Sequence, residues 1–115
     1  MEAKLGVWIR QNSRHVYGDG RQHLLKKIGD LGSIRQAALE MGMSYRAAWG
    51  KIKATEEGLG IKLLERTVGG KAGGGAILTE EAKRLIGAYE EFRQGLDELV
   101  NERLTKSLKK QGLVL

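Results

Sequence analysis

The strongest hydrophobic pattern in the chain runs from Ser33 to Leu59. Ile34, Ala37, Ala38 and Met41 recur at i, i+3, i+4 and i+7, and Ala48, Ile52, Thr55 and Leu59 at i, i+4, i+7 and i+11. Each set lines one face of a helix. Gly42, between them, predicts a helix stop in the left-handed conformation. Ser44 follows as a side-chain N-cap for the second helix. Alanines at 37, 38 and 48 leave room for two helices to approach closely. Two short helices around a glycine turn predict a helix-turn-helix, a motif whose second helix commonly enters the DNA major groove.

Upstream the period changes. Across residues 4–10, Leu5, Val7 and Ile9 alternate with Gly6, Trp8 and Arg10, which predicts a strand with one buried face. Residues 12–20 read as a loop, with Asp19 as the cap of a helix over 21–31. That helix has Leu24, Leu25, Ile28 and Leu31 on one stripe, Lys26 and Lys27 on its polar side, Gly32 as its stop and Ser33 capping the next helix. Downstream, residues 61–67 and 76–78 are short apolar runs either side of a glycine-rich tip, a loose β-hairpin. The N-terminal strand is the expected third partner at its edge. A helix-turn-helix followed by a hairpin is a winged helix, with residues 69–75 as the wing. From Thr79, a further N-cap, Ala82, Leu85, Tyr89, Phe92, Leu96 and Leu99 follow at spacings of 3 and 4, widened by Ile86 and Val100. This is a coiled-coil seam. A helix from Thr79 to about Lys110 would be ~48 Å long at ~1.5 Å per residue. Its apolar face exceeds what so small a core can cover, so Leu85, Tyr89, Phe92, Leu96 and Leu99 are expected to meet a second copy; packing within the chain is the alternative. The expected fold is mainly α with a small antiparallel sheet: a winged helix-turn-helix over 1–78, then a long dimerisation helix and tail over 79–115.

Charge sharpens this picture. Residues 1–78 hold 13 Lys/Arg against 7 Asp/Glu, whereas 79–115 hold 7 of each, so the whole excess of +6 lies with the helix-turn-helix. That is the footprint of a nucleic-acid face beside a neutral structural helix. The 115 residues include no cysteine and no long apolar run, so neither a disulfide nor a membrane span is expected, and a cytoplasmic location fits.

At this point the residues resemble a known family. Ala37-Ala38, Ser44, Ala48, Ile52, Glu56, Leu59-Gly60, Leu63 and Glu65-Arg66 are similar to the DNA-binding domain of LysR-type regulators. Gly32-Ser33-Ile34, Ser44-Tyr45, Ala48-Trp49 and above all the stretch GGKAGGGAILT at 69–79 resemble the N-terminal domain of the molybdate-responsive, ModE-type regulators. The resemblance implies DNA binding by a homodimer, with base contacts from Tyr45, Arg46 and Trp49 and a wing contact from Lys71. Family members that sense molybdate carry further oxyanion-binding domains after the long helix. This chain stops at Leu115, so molybdate sensing is not expected to carry over.

The residues themselves give the same interface. Arg46, Gly50 and Lys53 share the face opposite Ala48 and Ile52. Arginine there can pair bidentately with guanine, Lys53 suits phosphate, and Gly50 admits a close approach. Tyr45 and Trp49, four apart, form one aromatic patch that meets thymine methyls or sugar–phosphate; Trp49 could equally pack on the first helix. Ser44 caps its helix and can also bond a phosphate. Arg66 is either a phosphate contact or a structural ion-pair partner. Lys71 in the wing enters the minor groove, lies along phosphates, or sits on a plain hairpin tip. The wing is no nucleotide-binding loop, because Ala72 stands where a Ser/Thr is required. His15 and His23 lack metal-ligand spacing, and no catalytic constellation is present. No metal, cofactor or enzymatic activity is expected. The partners expected are double-stranded DNA and a second copy, with no membrane; the alternative is an interaction module or co-regulator for a protein or a small oxyanion.

Overall fold

In the computed structural model, which describes residues 1–67 and 75–114, helix α1 (Asp19–Leu31) runs through the centre of the core. Its Leu24, Leu25 and Ile28 have no exposed surface. Complete burial of such a side chain stabilises by about 1.5–3 kcal/mol. Helix α2 (Ile34–Glu40) adds Ile34, Ala37 and Ala38, and α3 (Tyr45–Leu59) adds Ala48, Ile52 and Thr55, the faces the spacing predicts.

The joints follow local chemistry. Ser33 accepts the Gln36 N–H, Ser44 accepts the Ala47 N–H and Thr79 accepts the Ala82 N–H, each satisfying a donor that the helix start would leave orphaned. Gly42, between α2 and α3, has φ +70°, a conformation that only glycine adopts without steric cost.

Strands β1 (Trp8–Gln11) and β2 (Arg14–Gly18) precede α1 and form an antiparallel hairpin. Strands β3 (Leu64–Thr67) and β4 (Gly75–Leu78) follow α3 and form another. Three expectations change here. The segment 12–20 is not a loop: Asn12 and Ser13 take positive φ, 53° and 64°, and turn the chain tightly back into β2. The strand pattern over 4–10 is realised only from Trp8, and all four β1 residues are exposed, so its apolar side does not enter the core. The N-terminal strand also does not pair with the wing hairpin. It takes its partner from β2, while the Ala76 N–H bonds to the Gly32 carbonyl (3.0 Å).

Asp19 does not cap α1 either; Gly18 occupies that position. The Asp19 carboxylate instead accepts from the Val7 N–H (3.2 Å), the Tyr89 hydroxyl and the Arg93 guanidinium, which lie in two other segments. Burial opposes its ionisation, but these donors and the Arg93 charge outweigh it and hold the carboxyl below its ordinary value.

The C-terminal helical segment is broken. Helix α4 (Glu80–Arg93) ends at Gln94, which is extended, and Gly95 at φ +80° starts α5 (Leu96–Lys110). Arg93 fixes the end of α4 on Asp19, while Asn101 in α5 exchanges hydrogen bonds with both the N–H and the carbonyl of Ala3 (2.7 and 3.0 Å). Both pieces are thus tied to the N-terminal segment, and the glycine takes up the change of direction. Helix α4 supplies Ala82 and Tyr89 to the core, whereas α5 buries no residue.

Candidate nucleic-acid interface

Helix α3 presents a face that the core leaves free. Arg46, Gly50 and Lys53 are all exposed, as their spacing requires. An alanine Cβ built at Gly50 meets nothing within 4 Å, so no internal packing demands a glycine there.

One flank of this face is an aromatic and cationic cluster. Tyr45 and Trp49 are half-buried, each with one side against the core. The centroid of the Trp49 ring lies 4.8 Å from the Arg66 guanidinium and 4.9 Å from the Lys53 ammonium. Arg66 also donates from Nη2 to the Tyr45 hydroxyl (2.7 Å). Arg35, from α2, stacks on Tyr45 at 4.7 Å. A cation over an aromatic face gains about 0.5–1 kcal/mol when exposed, enough to order a long side chain yet small enough to exchange for a stronger anion. Trp49 therefore packs on the core and also carries cations, and Arg66 is tied to an aromatic pair. Sequence reasoning missed Arg35. Its place on the polar side of α2, two residues after the Ser33 cap, was the available signal, but its contact with Tyr45 spans the turn and is not periodic.

Lys53 also lies 3.6 Å from Glu56. The second oxygen of Glu56 accepts the Leu63 N–H (2.8 Å), so this carboxylate pins the link between α3 and β3. Ser44 is exposed, and its oxygen caps α3 by accepting the Ala47 N–H (3.0 Å). The expected wing contact, Lys71, lies outside the described residues. Among the described residues no group of three His, Cys, Asp or Glu side chains could hold a metal ion, and no helix is long and apolar enough to cross a membrane.

The five residues of the expected dimer seam have different surroundings. Tyr89 is buried in the chain's own core, edge-on to Tyr17 (5.3 Å) and bonded to Asp19, so it is not available to a second copy. Leu85 packs half-buried against that core. Leu96 is half-buried, while Phe92 and Leu99 face outward, 51% and 53% exposed.

A buried α1–α3 unit, a glycine joint between α2 and α3, and the β3–β4 hairpin after the second helix define a winged helix-turn-helix. The model of the bacterial regulatory helix-turn-helix protein, lysR family, matches residues 21–83, and the chain belongs to that family. It is 43% identical over 96 residues to the molybdenum-pterin-binding protein MopB of Rhodobacter capsulatus, covering 84% of this chain and 35% of that protein. It is 37% identical over 94 residues to the DNA-binding transcriptional dual regulator ModE of Escherichia coli (strain K12), covering 82% and 36%. The chain thus spans about a third of the length of these curated relatives. The fold is similar to that of the CbnR DNA-binding domain in a crystal structure with DNA, with a TM-score of 0.56 at 20% identity over 80% of this chain and 95% of that one. It is similar also to the BenM DNA-binding domain in complex with catB site 1 DNA, with a TM-score of 0.56 at 22% identity over 78% and 92%.

Proposed function

We propose that the chain is the DNA-reading module of a transcription regulator and works as a homodimer. The observation that carries this is the exposed face of α3, where Arg46, Gly50 and Lys53 stand beside cations held on Tyr45 and Trp49. The N-terminal half of α3 enters the major groove, with Arg46 reading base edges and Tyr45 and Trp49 giving apolar contact. Ser44, Arg35, Lys53 and Arg66 meet phosphates and fix the register. Lys71, on the wing, reaches the backbone or minor groove alongside. Phe92, Leu96 and Leu99 join two subunits, so that paired α3 helices read half-sites about 34 Å apart, one turn of the duplex.

The test is binding of the chain to genomic fragments, followed by footprinting and salt titration. Phosphate contacts release counterions, so log K should fall with log salt by about 0.9 for each contact. Arg46→Ala should cost about 1–3 kcal/mol at its cognate site and relax specificity there. A flat salt response, or affinity unmoved by Arg46→Ala, contradicts the reading.

A further inference from the structure

The β1–β2 hairpin is built onto the flank of α3 away from Tyr45 and Trp49. The Thr55 hydroxyl donates to the Val16 carbonyl (2.6 Å), and Arg21 Nη1 donates to the carbonyls of His15 and Val16 (3.2 Å each) and to Thr55 Oγ1 (3.1 Å). Gly58 lets the two backbones meet: a Cβ there would lie 2.2 Å from Val16 Cγ1. On α3, Lys51 precedes Thr55 by four residues, so the two are neighbours on the hairpin side of the helix. At ~100° per residue, ~3.6 residues to a turn, Arg46, Gly50 and Lys53 fall between this flank and the flank of Tyr45 and Trp49. The exposed face of α3 is thus bordered by a hairpin on each side.

The N-terminal hairpin is basic. From Trp8 to Gly18 it contains Arg10, Arg14 and His15 and no carboxylate, and every residue from Trp8 to His15 is exposed. Its turn is tight and ordered, with Arg10 Nη2 donating to the Ser13 carbonyl (2.9 Å). The imidazole of His15 registers the local field: desolvation, then Arg21, Lys51 and Arg10, push its pKa below the ordinary value, against a hydrogen bond to the Tyr17 carbonyl that raises it. An exposed arm that gathers cations and, among the described residues, pairs none of Arg10, Arg14 and Lys51 with a carboxylate suits a polyanion.

We propose that the β1–β2 hairpin is a second DNA-contacting arm, in which Arg10, Arg14 and the adjoining Lys51 grip the sugar–phosphate backbone on the side of the groove opposite the β3–β4 wing. This rests on the reading of α3 as the recognition helix. The contact carries no base information; it adds affinity and fixes how α3 is seated. Two flanking arms hold the helix against tilting in the groove, which one wing alone does not.

The experiment titrates the full chain against a fluorescently labelled duplex of random sequence over a range of salt concentrations. The proteins compared are the unsubstituted chain, the double variant Arg10→Ala/Arg14→Ala, Lys53→Ala as a phosphate contact of α3, and Lys106→Ala as an exposed control on α5. Thermal unfolding of each protein checks that the fold is kept. The double variant should bind about tenfold or more weakly and lose about 1–2 from the slope of log K against log salt, while Lys106→Ala changes neither. Binding weakened by Lys53→Ala but indifferent to the double variant overturns the hairpin arm alone. No salt-dependent binding of the unsubstituted chain overturns both readings. Should the double variant keep its salt slope and instead weaken self-association in sedimentation, the hairpin is a protein contact and the proposal fails.

Discussion

The Thr55 hydroxyl and the Val16 carbonyl, 2.6 Å apart and both in buried residues, bolt the N-terminal hairpin to α3. Thr55 lies on the apolar face of α3, and its hydroxyl bonds the carbonyl of the one β2 residue that the bulge in the β1–β2 register leaves without an opposite residue. Thr55→Val keeps the shape and leaves that carbonyl to Arg21 alone. It should destabilise by about 1–2 kcal/mol, the cost of under-satisfying a buried polar group, measured as a lower midpoint in urea with an unchanged slope. An unchanged midpoint would show that the bond contributes nothing net.

Three helical glycines should answer substitution by alanine in three ways. At Gly87, exposed in α4, a Cβ meets nothing, so Gly87→Ala should stabilise by about 0.5–1 kcal/mol through helix propensity alone. At Gly58 the same gain is opposed by Val16, which is β-branched, stiff and only 2% exposed. Overpacking costs about 1–3 kcal/mol, so Gly58→Ala should be destabilising on balance. Gly50→Ala should stabilise the free chain like Gly87→Ala but weaken DNA binding, because the space that is open in the protein alone is the space a duplex would take. Melting curves and binding isotherms on the same three variants separate these outcomes. Tighter DNA binding by Gly50→Ala would remove the close-approach argument.

Caps and turns were the most legible part of the sequence because their chemistry is local. Ser33, Gly42, Ser44 and Thr79 act within three residues of themselves, and each does what its type and position predict. The apolar faces of α1, α2 and α3 were legible for the same reason. Strand β2 was not, since the turn that creates it uses Asn12 and Ser13 rather than a glycine. Neither was the break before α5. Gly87 and Gly95 are the same residue in the same periodic pattern, yet Gly87 is helical and Gly95 is left-handed; the difference lies in the Arg93–Asp19 and Asn101–Ala3 ties, which span most of the chain. In the candidate site, α3 could be read from its face, but the stacking of Arg35 and Arg66 on Tyr45 and Trp49 joins residues from three elements and leaves no periodic trace.

Asp19 should make the fold acid-sensitive. Its folded pKa lies below the ordinary 3.8, so the ionised form is the one the native state favours. The stability it contributes is complete above the unfolded value and is lost as pH falls through the folded one. Stability should therefore drop on acidification below about pH 4, and Asp19→Asn should lower stability at neutral pH while flattening that drop. Tyr89 adds an alkaline limb: burial, then the Asp19 hydrogen bond and charge, push its pKa up to about 12, so stability should decline once pH passes the unfolded value of 10. Tyr89→Phe should remove that part of the decline. Unfolding midpoints measured across pH for the three proteins check both limbs, and identical acid profiles for Asp19→Asn and the unsubstituted chain would deny the carboxylate its part.

The apolar stripe of the last two helices divides between two surroundings, and substitution should show whether the outward part joins two copies. Tyr89 and Leu85 face the subunit's core, whereas Phe92 and Leu99 face outward with about half their surface exposed. An outward position tolerates a charge in the isolated chain, typically within about 0.5 kcal/mol, so Leu99→Glu should barely move its stability. Phe92→Glu also gives up the ring contact with Tyr89 (5.8 Å between centroids), a modest loss of about 0.5–1.5 kcal/mol. In a seam between two copies the same charges would be buried without partners, a far larger penalty. Both variants should then shift sedimentation from dimer to monomer and weaken binding to a two-half-site duplex more than to a single half-site. Tyr89→Ala should do the reverse, unfolding the subunit at lower denaturant through loss of core packing. If Phe92→Glu and Leu99→Glu together leave both the oligomeric state and two-site binding untouched, the outward stripe does not join subunits, and the proposed pairing of α3 helices must be achieved by another surface.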